Sequence, residues 1–198
     1  MDEPLPPRAD PAARLDEHLR RLPAGASCRG LFFQGTIRHV QRIAPDVDLA
    51  RAAGLQERRY VSFSNYPYGD FLRLNAAGAR LVKPGRTAEG LRELGVHAYD
   101  TLLESQIGKV VLGAFGKSFE YVVMAGARGY AVSLSFGKVE AERVAPQHVR
   151  YRFHEMPAFL DTFQRGVVEG AMRACGVTGE VRVTSDDVAS AVFDITWQ

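Results

Sequence analysis

The chain has 198 residues, 46% hydrophobic and 24% charged, with a formal net charge of +2 at pH 7. That length suits one domain with a loose end, and the near-balanced charge excludes a strong field for nucleic acid or anionic lipid. Two cysteines, Cys28 and Cys175, do not make a disulfide framework, which points to a reduced, cytoplasmic setting. No apolar run approaches the roughly 20 residues that span a bilayer.

Met1–Pro7 reads as disordered, because its prolines and charges bury nothing. Asp10-Pro11 starts a short helix with a narrow stripe of Leu15, Leu19 and Leu22, ending at Pro23-Ala-Gly25. Residues 1–25 are therefore expected to be a flexible N-terminal segment with a short amphipathic helix, and residues 26–198 a single α+β domain. Cys28–Ile43 places Phe33, Ile37 and Val40 at helical spacing. A shorter helix is expected over Asp48–Ala53, and YVSFSNY after it alternates, which suits either a strand or an extended connection. From Pro67, Phe71, Leu74, Gly78 and Leu81 mark one helical face, broken by Pro84-Gly85. Leu91, Leu94, Ala98 and Leu102 mark the next, with Thr87 as N-cap. Ile107–Phe115 is apolar all round and reads as a buried helix. Ser118 caps another, running towards Gly129.

The last third alternates. Lys138–Val144 and His148–His154 form a hairpin, and Glu180–Thr184 and Ala191–Trp197 are strands. Between these pairs lies Pro157–Cys175, with Leu160, Phe163, Val167, Ala171 and Cys175 on one helical face, Pro157 in its first turn and Gly176 as its stop. Gly166 and Gly170 are spaced for close approach of a neighbouring backbone. Helices first and an antiparallel sheet later is the α+β pattern, ending strand–helix–strand–strand.

No motif reaches a catalytic signature, so an enzyme is not expected. Gly113-Ala-Phe-Gly-Lys-Ser118 has two residues between its glycines where a phosphate-binding loop needs four. His154-Glu155 opens a zincin-like pattern, but position 158 is alanine and Pro157 blocks the helix. His18, His39, His97, His148 and His154 show no ligand-like spacing, and no metal is expected. His97 is the one to watch, because Tyr99 and Asp100 follow it on a helix facing the core. Cys175 ends its helix, where the dipole disfavours a thiolate, so it reads as a small buried hydrophobe. Ser62–Tyr68 is an aromatic, polar stretch suited either to a plain loop or to an entrance.

The series GLFFQGTI, YPYGDFLRL, LVKPGRTAEGLRELGVHAYDTLLES and FLDTFQRGVVEGAMRACGVTGEVRV resembles a family of paralogous myxobacterial proteins, a domain of unknown function. More distantly, the C-terminal half is similar to four-vinyl-reductase-type domains, haem nitric-oxide-binding domains and Bet-three-like trafficking subunits. That likeness implies helices in front of a strand–helix–hairpin end, with an apolar ligand or haem between them in several members. Zinc-binding members carry clustered cysteines near the last hairpin, where only Cys175 stands here. Haem-binding ones carry Tyr-x-Ser-x-Arg, and Tyr60-Val-Ser62-Phe-Ser64 lacks the arginine. Neither cofactor carries over, so none is expected.

The resulting expectation is a non-catalytic module that binds or senses a small apolar ligand and acts through a partner or a homodimer. The alternative is a protein–protein interaction module with a solid core and no ligand. The expected pocket lining is Phe119, Val123, Tyr130, Phe136, Phe153, Phe163 and Val167, each apolar or aromatic on an inward face, with Tyr121 or Tyr151 supplying a polar group.

Overall fold

A computed structural model describes residues 14–104, 118–185 and 187–198. The expected helix over 107–115, the glycine-rich stretch at 113–117 and the first thirteen residues lie outside these ranges. The described chain runs α1 (Leu15–Arg21), β1 (Ser27–Arg29), α2 (Gly30–Ile43), α3 (Leu49–Ala52), β2 (Asn65–Pro67), α4 (Tyr68–Val82) and α5 (Thr87–Glu104). It continues through α6 (Phe119–Ser133), β3 (Lys138–Ala145), β4 (His148–His154), a π-helical turn (Leu160–Gln164), α7 (Arg165–Cys175), β5 (Gly179–Thr184) and β6 (Ala191–Trp197). The fold is α+β.

Helix α5 is the hub, packing on α2, α4, the π turn and α7. Glycines make this closeness possible: a Cβ on Gly95 would fall on the Phe163 carbonyl, one on Gly166 on the Arg92 carbonyl, and one on Gly90 on the Ala79 carbonyl. The spacing of Gly166 and Gly170 thus serves the approach of α7 to α5. Arg92 and Arg165 both pair with Glu169 along this seam, and Arg173 reaches Asp100 at 2.6 Å.

The main sheet is antiparallel in the order β3-β4-β6-β5. Alternation along each strand turns Val149, Tyr151, Phe153, Val181, Phe193 and Ile195 into the core. On the outer face Asp194 gathers His148 at 2.8 Å and Arg150 at 2.7 Å. β1 and β2 form a separate two-stranded sheet, which takes Cys28 and Arg29 out of the expected Cys28–Ile43 helix. Residues 134–135 attach to β1, through a Ser135 N–H bond to the Ser27 carbonyl at 3.1 Å.

The segment 157–175 is not one α-helix from Pro157. Residues 157–159 are irregular, Phe159 sits at φ 50°, and Leu160–Gln164 form a π turn before α7 begins. A π turn inserts an extra residue and rotates the following face. Leu160, Phe163 and Ala171 are buried as expected, but Val167 and Cys175 are only half-buried and Val168 and Met172 are buried beside Ala171 instead. Gly176 ends α7 in the left-handed region at φ 71°, the expected stop.

Candidate functional site

Where the C-terminal end of α6 meets the start of β3, the described residues leave a hollow of about 260 Å³. Tyr130, Phe136, Val139 and Met156 give it an apolar lining, with Ala127 and Ala131 on the helix side and Arg128 and Lys138 at its edge. Gly137 at φ 70° turns the chain from α6 into β3, and a Cβ there would lie 3.0 Å from that of Met156. This turn brings Phe136 and Val139 together beside Met156.

A small polar group stands behind the hollow. The Tyr130 hydroxyl donates to Gln164 Oε1 at 2.7 Å, and the Gln164 side chain also bonds the Tyr68 hydroxyl. Gln164 is buried, and the π turn places it there. Burial raises the Tyr130 and Tyr68 phenols well above their ordinary range, so both stay protonated donors. Tyr68 packs edge-on to Phe136 at 4.7 Å, and Tyr130 edge-on to Phe153 at 5.7 Å.

Of the seven residues expected as lining, Tyr130 and Phe136 line the hollow. Phe153 stands behind Tyr130 and packs on Phe193 at 4.6 Å, while Phe163 packs on Phe71 at 5.6 Å. Phe119 packs on Trp197 at 4.9 Å, and the Val123 carbonyl accepts from the Tyr151 hydroxyl. Val167 is half-buried on α7. Tyr121 is exposed. Sequence reasoning missed Met156, Val139 and Gln164. Met156 follows the end of β4, and Gln164 reads as one polar residue within a helix, so neither carries a local signal.

The remaining candidates fall elsewhere. Tyr60 stacks on Phe33 at 4.2 Å, Ser62 donates to Gln34 at 3.1 Å, and Phe63 is exposed. Cys28 is buried, which raises its thiol pKa, and Cys175 is half-buried. His18 packs against Phe159 at 4.4 Å, His154 ends β4 beside Glu140, and His39 stacks on His97 at 3.9 Å. The fold therefore joins two histidines that linear spacing kept apart.

The α+β fold, with its helical front and strand–helix–hairpin end, is similar to that of solved H-NOX structures. The structure is similar to that of the Fe(II) unliganded H-NOX protein from K. algicida, with 13% identity and a TM-score of 0.67 over 86% of this chain and 96% of that one. It is similar to a mutant H-NOX from T. tengcongensis, with 16% identity and a TM-score of 0.68 over 86% and 97%. It is also similar to a protein used to probe haem distortion in the H-NOX family, with 15% identity and a TM-score of 0.67 over 86% and 95%. Residues 21–198 match the family described as protein of unknown function (DUF2378), and the chain belongs to that family. No curated protein matches it.

Haem, named for the last of those structures, does not fit the described residues around the hollow. A haem needs an axial donor facing a slot wide enough for the macrocycle. No histidine lines the hollow, and the Tyr130 hydroxyl is committed to Gln164. Among the described residues, the Tyr68–Phe136, Phe71–Phe163 and Tyr130–Phe153 ring pairs pack beside the hollow and across the neighbouring helices. No helix of the described residues is long and apolar enough to cross a membrane.

Proposed function

We propose that the protein is a non-catalytic module that binds one small apolar molecule beside α6 and reports it through a partner or a second copy, in a cytoplasmic setting. The observation that carries this reading is the hollow at Tyr130, Phe136, Val139 and Met156, apolar at its wall with a buried Tyr130–Gln164 hydrogen bond behind it. Small-molecule sites combine an apolar lining with few placed polar groups. At about 260 Å³ the hollow falls just under the roughly 300–1,000 Å³ of drug-sized sites, which sets the ligand small. Tyr130 and Phe136 are the proposed contact residues, with Phe153 packed behind Tyr130, while Phe119, Val123, Phe163 and Val167 lie outside the hollow. Kinship with four-vinyl-reductase-type and Bet-three-like domains belongs to the same proposal.

An environment-sensitive apolar dye tests it. The wild type is expected to bind one equivalent, and Ala131→Trp, at an exposed rim position, to abolish binding without changing the circular dichroism. Equal binding by both proteins, or none by the wild type, would favour the interaction module with a solid core.

A further inference from the structure

A second cluster lies on the helical layer, away from the hollow. His39 of α2 and Glu93 and His97 of α5 each offer a ligand atom, and these atoms all lie within 4.8 Å of one another. Glu93 and His97 are four residues apart, so the helix stacks them on one face, and the crossing of α2 over α5 brings His39 against both. His39 is buried while Glu93 and His97 are half-buried, so the cluster opens to solvent on one side.

We propose that His39, Glu93 and His97 form a binding site for a zinc-like divalent transition metal, with at least one coordination position left to water or a further ligand. Two imidazoles and a carboxylate are a donor set that such ions favour over magnesium or calcium. Metal–ligand bonds near 2.0–2.2 Å put tetrahedral donors roughly 3.4 Å apart, so closure moves these atoms by on the order of 1 Å. The two rings, inclined by 23°, splay about their soft χ2 torsions to face one ion.

The surroundings are those of a metal histidine. His97 Nδ1 bonds Asp100 Oδ2 at 2.9 Å, and Asp100 is held in turn by Arg173. With its proton on Nδ1 facing that carboxylate, His97 presents Nε2 as a lone-pair donor. His39 is arranged against the metal. The Arg42 guanidinium, which only donates, bonds His39 Nδ1 at 3.1 Å, so the ring proton sits on Nε2 and is given to Glu93 Oε1 at 3.1 Å. Lys83 holds the other Glu93 oxygen at 3.0 Å. Coordination through His39 Nε2 therefore moves its proton to Nδ1 and turns Arg42 out to water, while Lys83 keeps its place on Glu93 Oε2 as the metal takes Oε1. The metal-free cluster is a closed hydrogen-bonded unit, and the ion competes with the Arg42 guanidinium for the tautomer of His39.

The test is isothermal titration of the full chain, stripped by chelator and desalted, with zinc chloride, backed by the visible absorption of the cobalt(II) form. One zinc per chain is expected. Binding should be lost in His97→Ala and in Glu93→Gln, should weaken by roughly 10–100-fold in Asp100→Asn, and should be unchanged in His154→Ala. Arg42→Leu should tighten it, because it frees His39 Nδ1 to carry the proton; a purely structural role for the cluster does not predict that gain. The proposal is overturned if the wild type takes up no zinc, or if folded His97→Ala and Glu93→Gln bind it as the wild type does.

Discussion

Gly166 lies so close to Arg92 that a side-chain carbon on the glycine would sit on the arginine's carbonyl oxygen. Four residues on, a Cβ at Gly170 would lie 2.6 Å from the Val96 oxygen and 2.8 Å from the Tyr99 Cβ. These contacts fix the distance between α7 and α5. Gly170→Leu is expected to lower stability by roughly 1–3 kcal/mol or more through overpacking. Arg173→Ala removes a half-exposed ion pair with Asp100, worth about 0–1 kcal/mol. Urea unfolding of the two variants compares them; equal midpoints would show that the seam yields.

His18 carries a different prediction. Its ring is buried against Phe159, with a bond to the Pro157 backbone, and Nδ1 has no partner among the described residues. Burial lowers its pKa from 6.5 to about 4, so the fold favours the neutral ring. The unfolded chain then binds the extra proton first as pH falls. This contribution is complete above pH 6.5 and is lost on descending towards pH 4, on the order of 3 kcal/mol in all. Denaturation of wild type and His18→Leu across that window is the check, and a flatter profile is expected for the variant.

Glu155 is exposed yet held at φ 50°, a conformation that costs a side-chain-bearing residue roughly 1–2 kcal/mol. Glu155→Gly relieves that cost while giving back some unfolded-state entropy. A net gain of up to about 1 kcal/mol follows, read as a higher melting temperature.

Chelation should leave the fold intact. The helices around His39 and His97 are held by the buried Leu91, Leu94, Val40 and Phe33, and by the Thr36–Asn75 hydrogen bond at 3.0 Å. Far-ultraviolet circular dichroism and melting in excess EDTA are expected to match the untreated protein.

Strand β4 and strand β6 are legible to the residue, because Val149, Tyr151 and Phe153, like Phe193 and Ile195, alternate without interruption. Helix α7 is legible in place but not in phase. The periodicity from Leu160 assumes 3.6 residues per turn throughout, and the π turn at 160–164 breaks that assumption with no change in composition. β1 is invisible because its strand character comes from pairing with Asn65–Pro67, not from Ser27–Arg29 themselves. The hollow is half legible: Tyr130 and Phe136 stand out as inward aromatics, but periodicity cannot separate a residue that lines space from one that fills it. The His39–His97 stack depends on a helix crossing, and only the Glu93–His97 spacing within α5 is written in the chain.

Native mass spectrometry of freshly purified protein tests most directly whether the hollow at Tyr130 and Phe136 holds a molecule. One extra bound mass per chain is expected, released on denaturation and absent from Ala131→Trp prepared in the same way. A bare chain in both preparations, with no uptake of added apolar ligands, would contradict it.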